Sequence, residues 1–159
     1  VATTVSRTRD VLGLTAFVVL CFGVSLLGGL ATAPALAEWY PALRKPPWTP
    51  PGWVFGPVWT LLYPVIAVAG WMAWREGRAR FGPLLYLLQL ALNGAWPWLF
   101  FGQRRPDLAL VCIVALWVAI LATAAAFWRV SRKAAILLLP YLAWVGFAAV
   151  LNHAIWRLN

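Results

Sequence analysis

Apolar residues in this chain neither alternate nor mark one face of a helix. They come in five nearly unbroken blocks, near 11–33, 53–74, 82–101, 108–128 and 134–156, separated by short polar punctuation. A charge-free run of about twenty residues, wound as an α-helix, matches the thickness of a bilayer's hydrocarbon core. The pattern therefore predicts an all-α membrane protein, a single domain over 1–159 built as a bundle of five transmembrane helices.

The longest interruption, 34–52, separates the first two blocks. Pro41, Pro46, Pro47, Pro50 and Pro51 each fix φ and lack an N–H, so this segment is expected to be a stiff, turn-rich loop able to act as a lid. Trp39, Trp48, Trp53 and Trp59 add large flat faces with one donor each, suited to a membrane interface or to a planar ligand.

Within the blocks, spacing singles out a few side chains. Ser25, Gly29 and Ala33 recur every fourth residue of the first helix, a strip where a neighbour can approach closely. Arg7, Arg9 and the Ala35-Leu36-Ala37 sequence imitate a signal peptide, but the run from Val11 to Ala33 exceeds the roughly 7–15 residues of a signal core and is expected to be a mature helix. Phe55, Trp59 and Tyr63 form an aromatic stripe on the second helix, beside the kink-forming Pro57 and Pro64. That stripe either packs on another helix or lines a cavity.

On the third helix Gln89 and Asn93 lie one turn apart, followed by Trp96 and Pro97. Two amides at bilayer depth need partners, so they should face the interior, either joining helices or contacting a ligand. The fourth helix reads as scaffold. On the fifth, after Pro140 and Tyr141, the residues Trp144, Ala148 and Asn152 share a face, so a ring, a small side chain and an amide adjoin one another. His153, the single histidine, reads as an interfacial polar residue without companion metal ligands.

Composition agrees with the pattern: 64% of the 159 residues are apolar, 11% are charged, and the mean hydropathy is +0.81. The net charge of +9 does not point to nucleic acid, because the thirteen Lys and Arg sit at helix ends. Eight lie on the side of the N-terminus and of the second and fourth loops: Arg7, Arg9, Arg75, Arg78, Arg80, Arg129, Arg132 and Lys133. Arg44, Lys45, Arg104, Arg105 and Arg157 lie on the other. The positive-inside rule then puts the N-terminus in the cytoplasm and the lid loop on the opposite side. Cys21 and Cys112 fall inside apolar spans and imply neither a disulfide nor a metal.

No Asp, Glu, Lys or Arg occupies the middle of a span, which argues against ion-coupled transport and acid/base catalysis. No catalytic triad, phosphate loop or zinc spacing is present, and no cofactor is implied. Aromatic rings, amides and shape remain, and such groups recognise a flat apolar molecule with few polar atoms.

These residues carry a resemblance. Trp39-Tyr40-x-x-Leu43-x-Lys45-Pro46-x-Trp48-x-Pro50-Pro51-x-Trp53-Val54-Phe55 is followed by Trp59 and Leu62-Tyr63, Asn93-x-x-Trp96, Pro140-Tyr141-x-x-Trp144 and Leu151-Asn152. In order and spacing this resembles the TspO/MBR family, the tryptophan-rich sensory proteins related to the mitochondrial translocator protein or peripheral benzodiazepine receptor. The resemblance implies a five-helix bundle, usually a homodimer, with a cavity beneath the first loop that takes porphyrins such as protoporphyrin IX or synthetic benzodiazepine- and isoquinoline-type ligands.

It puts the ligand-binding positions at Tyr40, Pro50, Trp59, Tyr63, Asn93, Trp96, Trp144 and Ala148, with Trp39 in the lid. Arg44 and Lys45 could then meet porphyrin propionates. It also implies two alternatives to a receptor or sensor: a light- and oxygen-dependent porphyrin-degrading enzyme using Trp59 and Trp144, or a porphyrin or lipid transporter. The chain departs from the sterol-binding pattern of animal relatives, carrying His153 where that pattern needs a tyrosine.

Overall fold

The computed structural model describes residues 2–77 and 82–159, with side chains from Arg7 onward in the first stretch. Arg78 and Arg80, counted above for orientation, lie outside the described residues. The elements in chain order are α1 (Ala2–Ala37), a helical turn α2 (Trp39–Ala42), a 3-10 turn (Gly52–Val54), α3 (Phe55–Glu76), α4 (Gly82–Pro97), a π-helical turn (Trp98–Gly102), α5 (Pro106–Trp128), α6 (Arg132–Leu137) and α7 (Leu139–Leu158). Five spans among the described residues are long and apolar enough to cross a membrane: Arg7–Ala37, Gly52–Glu76, Gly82–Gly102, Pro106–Trp128 and Arg132–Leu158.

Side-chain size sets the packing. α1 lies against α3 and α4, α4 against α5, and α5 against α7, while α6 returns to α3 and closes the ring. Small residues permit the close approaches. A Cβ on Gly70 of α3 would stand 2.6 Å from Cζ of Tyr86, and one on Gly13 of α1 would stand 2.5 Å from Trp74. The Arg-rich end is tied by an Asp10–Arg75 ion pair at 3.0 Å and by the Trp71 indole N–H donating to the Asp10 carbonyl. Gly77 ends α3 at φ 65°, a left-handed position that glycine adopts without penalty, with its N–H donating to the Trp74 carbonyl.

Prolines divide the spans more finely than the apolar blocks suggest. The third span is helical to Pro97 and then widens into the π-turn, where the Gln103 N–H reaches the Trp98 carbonyl at 2.7 Å. Pro97 offers no donor to the Asn93 carbonyl one turn back, and the backbone loosens where that bond is missing. The fifth block, expected as one helix over 134–156, is two, since Pro140 cannot bond back to Ile136 and the chain turns at Leu138. The expected loop at 34–52 is also shorter. α1 runs on through Pro34 to Ala37 at the cost of one hydrogen bond, which spanning helices tolerate, and Trp39–Ala42 forms a helical turn.

The core has two parts. The larger is centred on Cys21, Ile66, Tyr86, Ile120 and Tyr141, and the smaller, nearer the lid, on Phe100, Ala109, Leu151 and Ile155. Between them the bundle is hollow.

Candidate functional site

The hollow is a cavity of about 510 Å³ beneath the lid, walled by α1, α3, α4, α5 and α7. Of the nine positions expected from sequence, Tyr40, Trp59, Tyr63, Asn93, Trp96, Trp144 and Ala148 line it. The other two, Trp39 and Pro50, are not among the lining residues. Trp39 is half-buried with its ring edge-on to Phe100 at 5.6 Å, and Pro50 is half-buried in the lid.

Two aromatic walls line it, and their rings meet edge-on. On α3 the Trp59 ring lies 5.4 Å from Tyr63 at 33° and meets Tyr141 edge-on at 6.3 Å. On α7 the Trp144 ring meets Phe55 edge-on at 5.7 Å and leans on Phe147 at 5.5 Å. Trp48 of the lid stands edge-on to Phe147 at 6.0 Å, so the roof rests on the same wall. Ala148 opens space between these rings, since its methyl leaves unfilled what a larger side chain would occupy.

The amides act first as joints between helices. Asn93 accepts from the Tyr63 hydroxyl at 2.8 Å and donates to the Tyr141 hydroxyl at 2.7 Å. Tyr141 in turn donates to Gln89 Oε1 at 3.0 Å. Asn152 accepts from the Trp96 indole N–H at 3.0 Å and donates to the Pro106 carbonyl at 2.8 Å. Each bond crosses between helices, and Gln89, Asn93 and Asn152 are all buried. The polar atoms of Asn93 are thus engaged within the bundle, although the residue borders the cavity.

The lid is held by its own cation. Lys45 Nζ donates to the carbonyls of Tyr40, Leu43 and Pro41 at 2.6, 2.8 and 3.3 Å and sits 4.7 Å from the Tyr40 ring centre. Lys45, expected to meet a ligand carboxylate, instead caps the α2 turn. The Asn159 side chain clips the lid to the end of α7, accepting from the Arg44 N–H and donating to the Arg44 carbonyl, both at 3.0 Å. Burial pushes the Tyr40 hydroxyl above the ordinary tyrosine range, so at neutral pH it is a protonated donor at the roof.

Sequence reasoning missed part of the wall. Ser25, Gly29 and Thr32 of α1 line the cavity, as do Phe55, Phe101 and Asn152. The four-residue spacing of Ser25 and Gly29 was visible but read as helix contact. Gly29 has open space around it, and the close approach occurs one position earlier, where a Cβ on Gly28 would stand 3.1 Å from Pro97. His153 is exposed, with its ring 5.9 Å from Trp156, and lies outside the cavity lining. Among the described residues no three His, Cys, Asp or Glu side chains gather as a metal site.

The TspO/MBR family profile matches residues 17–157. The chain is 40% identical over 156 residues to the tryptophan-rich protein TspO of Chlorobaculum tepidum, covering 95% of this chain and 98% of that one. It is 46% identical over 143 residues to the translocator protein of Sus scrofa, covering 85% of each chain. To the tryptophan-rich sensory protein of Cereibacter sphaeroides it is 40% identical over 136 residues, covering 83% of this chain and 85% of that one.

Proposed function

This chain belongs to the TspO/MBR family of multi-pass membrane proteins, and on that premise we propose that it is a receptor that binds porphyrins of the protoporphyrin IX type, and related flat apolar molecules, in the cavity under the lid. The observation that carries this reading is the pair of aromatic walls, Trp59 on α3 and Trp144 on α7, both bordering about 510 Å³ of mostly apolar space. Offset and edge-on ring contacts add to the burial of ligand area, and a pocket of a few hundred cubic ångströms with few polar groups selects shape over charge.

The receptor acts as a homodimer with its N-terminus in the cytoplasm and the lid on the opposite side. Family likeness supports the pairing of two copies, and the eight-to-five distribution of Lys and Arg supports the orientation.

Titration with protoporphyrin IX, followed by quenching of tryptophan fluorescence, tests the binding reading. Trp59→Phe and Trp144→Phe should each weaken binding about threefold to tenfold, the loss expected of one aromatic contact. Unchanged affinity with both rings replaced would refute the placement.

A further inference from the structure

The Tyr63–Asn93–Tyr141–Gln89 chain has a direction, and the direction leaves a fault at one end. Hydroxyl and amide protons all point from the cavity toward the core: Tyr63 donates to Asn93, Asn93 to Tyr141, and Tyr141 to Gln89 Oε1. Gln89 Nε2 is then a donor with no partner, on a side chain only 1% exposed. A buried donor without an acceptor is costly. Gln89 does not line the cavity, so no ligand there can reach it.

An amide keeps its shape when its oxygen and nitrogen exchange places, so both Asn93 and Gln89 fit their sites in either orientation. With both turned over, every bond in the chain survives in reverse. Gln89 Nε2 donates to Tyr141, Tyr141 donates to Asn93 Oδ1, and Asn93 Nδ2 donates to the Tyr63 oxygen. Gln89 Oε1 then stands without a donor where Nε2 lacked an acceptor, and the free hydroxyl proton of the chain becomes that of Tyr63, which borders the cavity. Ser25, which also borders the cavity, is the polar side chain beside the Tyr63 hydroxyl.

We propose that the Tyr63–Asn93–Tyr141–Gln89 chain is a reversible donor switch: a flat ligand carrying a carbonyl or carboxylate oxygen at the Tyr63 end draws the chain into its reversed polarity and accepts the Tyr63 proton. Gln89 is then a specificity-determining residue that never touches the ligand, because the partner at the far end decides which way the protons point. A ligand without an acceptor has no differential interaction with the two polarities and leaves their balance unchanged. The inference rests on the cavity being a ligand site, as proposed above.

The test uses the full-length protein and two flat probes of the same shape, 9-fluorenone and fluorene, of which only the ketone has an acceptor. The readout is the ratio of their affinities within each variant, which cancels any difference in folded fraction. The wild type should favour the ketone, and Tyr63→Phe should erase the preference. Gln89→Met should raise it about threefold to tenfold, the worth of one hydrogen bond, because Tyr141 must then turn to Asn93 and release Tyr63. Tyr141→Phe, which deletes the middle of the chain, should shift the ratio the same way.

The carbonyl stretch of bound fluorenone should move to lower wavenumber in the wild type and in Gln89→Met, but not in Tyr63→Phe. A preference retained in Tyr63→Phe, or a ratio unchanged or lowered in both Gln89→Met and Tyr141→Phe, would overturn the switch. Failure of both probes while protoporphyrin IX binds overturns the switch alone, and failure of all three removes the receptor reading as well.

Discussion

Gly70 shows how little room single residues are given. The Tyr86 ring that it faces cannot step aside, because its hydroxyl donates to the Ile66 carbonyl at 3.0 Å and lies 3.3 Å from Cys21 Sγ. Gly70→Ala also brings a methyl within 2.8 Å of Phe17. It should cost about 1–3 kcal/mol, the range for overpacking a dense interior, read as a lower midpoint of thermal unfolding in detergent. Gly23→Ala, with nothing within 4 Å, should not lower the midpoint. Asn152→Leu strands the Trp96 N–H and the Pro106 carbonyl and should cost about 1–2 kcal/mol by the same measurement. At this scale the four-residue spacing of Phe55, Trp59 and Tyr63 declared a shared face, and the family resemblance rather than the spacing turned that face toward a ligand. Gln89 and Asn93 were legible as inward-facing amides able to join helices, but their partners were not, since spacing tells which way an amide points along its own helix and nothing of what the neighbouring helices offer it.

At the scale of elements, the spans were legible from length and apolarity, and their ends less so. Proline marks where a hydrogen bond is lost, yet Pro34 is absorbed within α1 while Pro97 precedes a π-turn and Pro140 separates two helices. Which outcome occurs depends on whether nearby groups take up the freed carbonyl, and that is a tertiary matter. The lid was recognised as stiff from its prolines, but its fastenings are other residues: Lys45, bonded to carbonyls of the lid itself, and Asn159, arriving from the far end of α7. Releasing either should loosen the roof without altering the walls. In stopped-flow measurements, Lys45→Met and Asn159→Ala should each speed both association and dissociation of protoporphyrin IX, leaving the equilibrium constant less changed than the rates.

The whole molecule is a ring of spans around a hollow beneath the lid. Its five-span architecture followed from the apolar blocks, whereas the hollow was expected only through likeness to a family, since no spacing rule says where a bundle leaves space unfilled. The orientation of the ring makes a separate prediction. In intact cells a membrane-impermeant maleimide should label Thr49→Cys, in the lid, and spare Ser131→Cys, at the start of α6, with little background from the buried Cys21 and Cys112. The opposite labelling would reverse the topology. The emptiness under the lid also has a calorimetric signature. A flat ligand entering it exchanges water or lipid contact for apolar walls, so its binding enthalpy should grow more favourable as temperature rises, with a negative heat-capacity change. Because the roof rests on Trp48 against Phe147, a Trp48→Ala protein should bind with a smaller heat-capacity change than the wild type, a thermal record of how completely the lid closes.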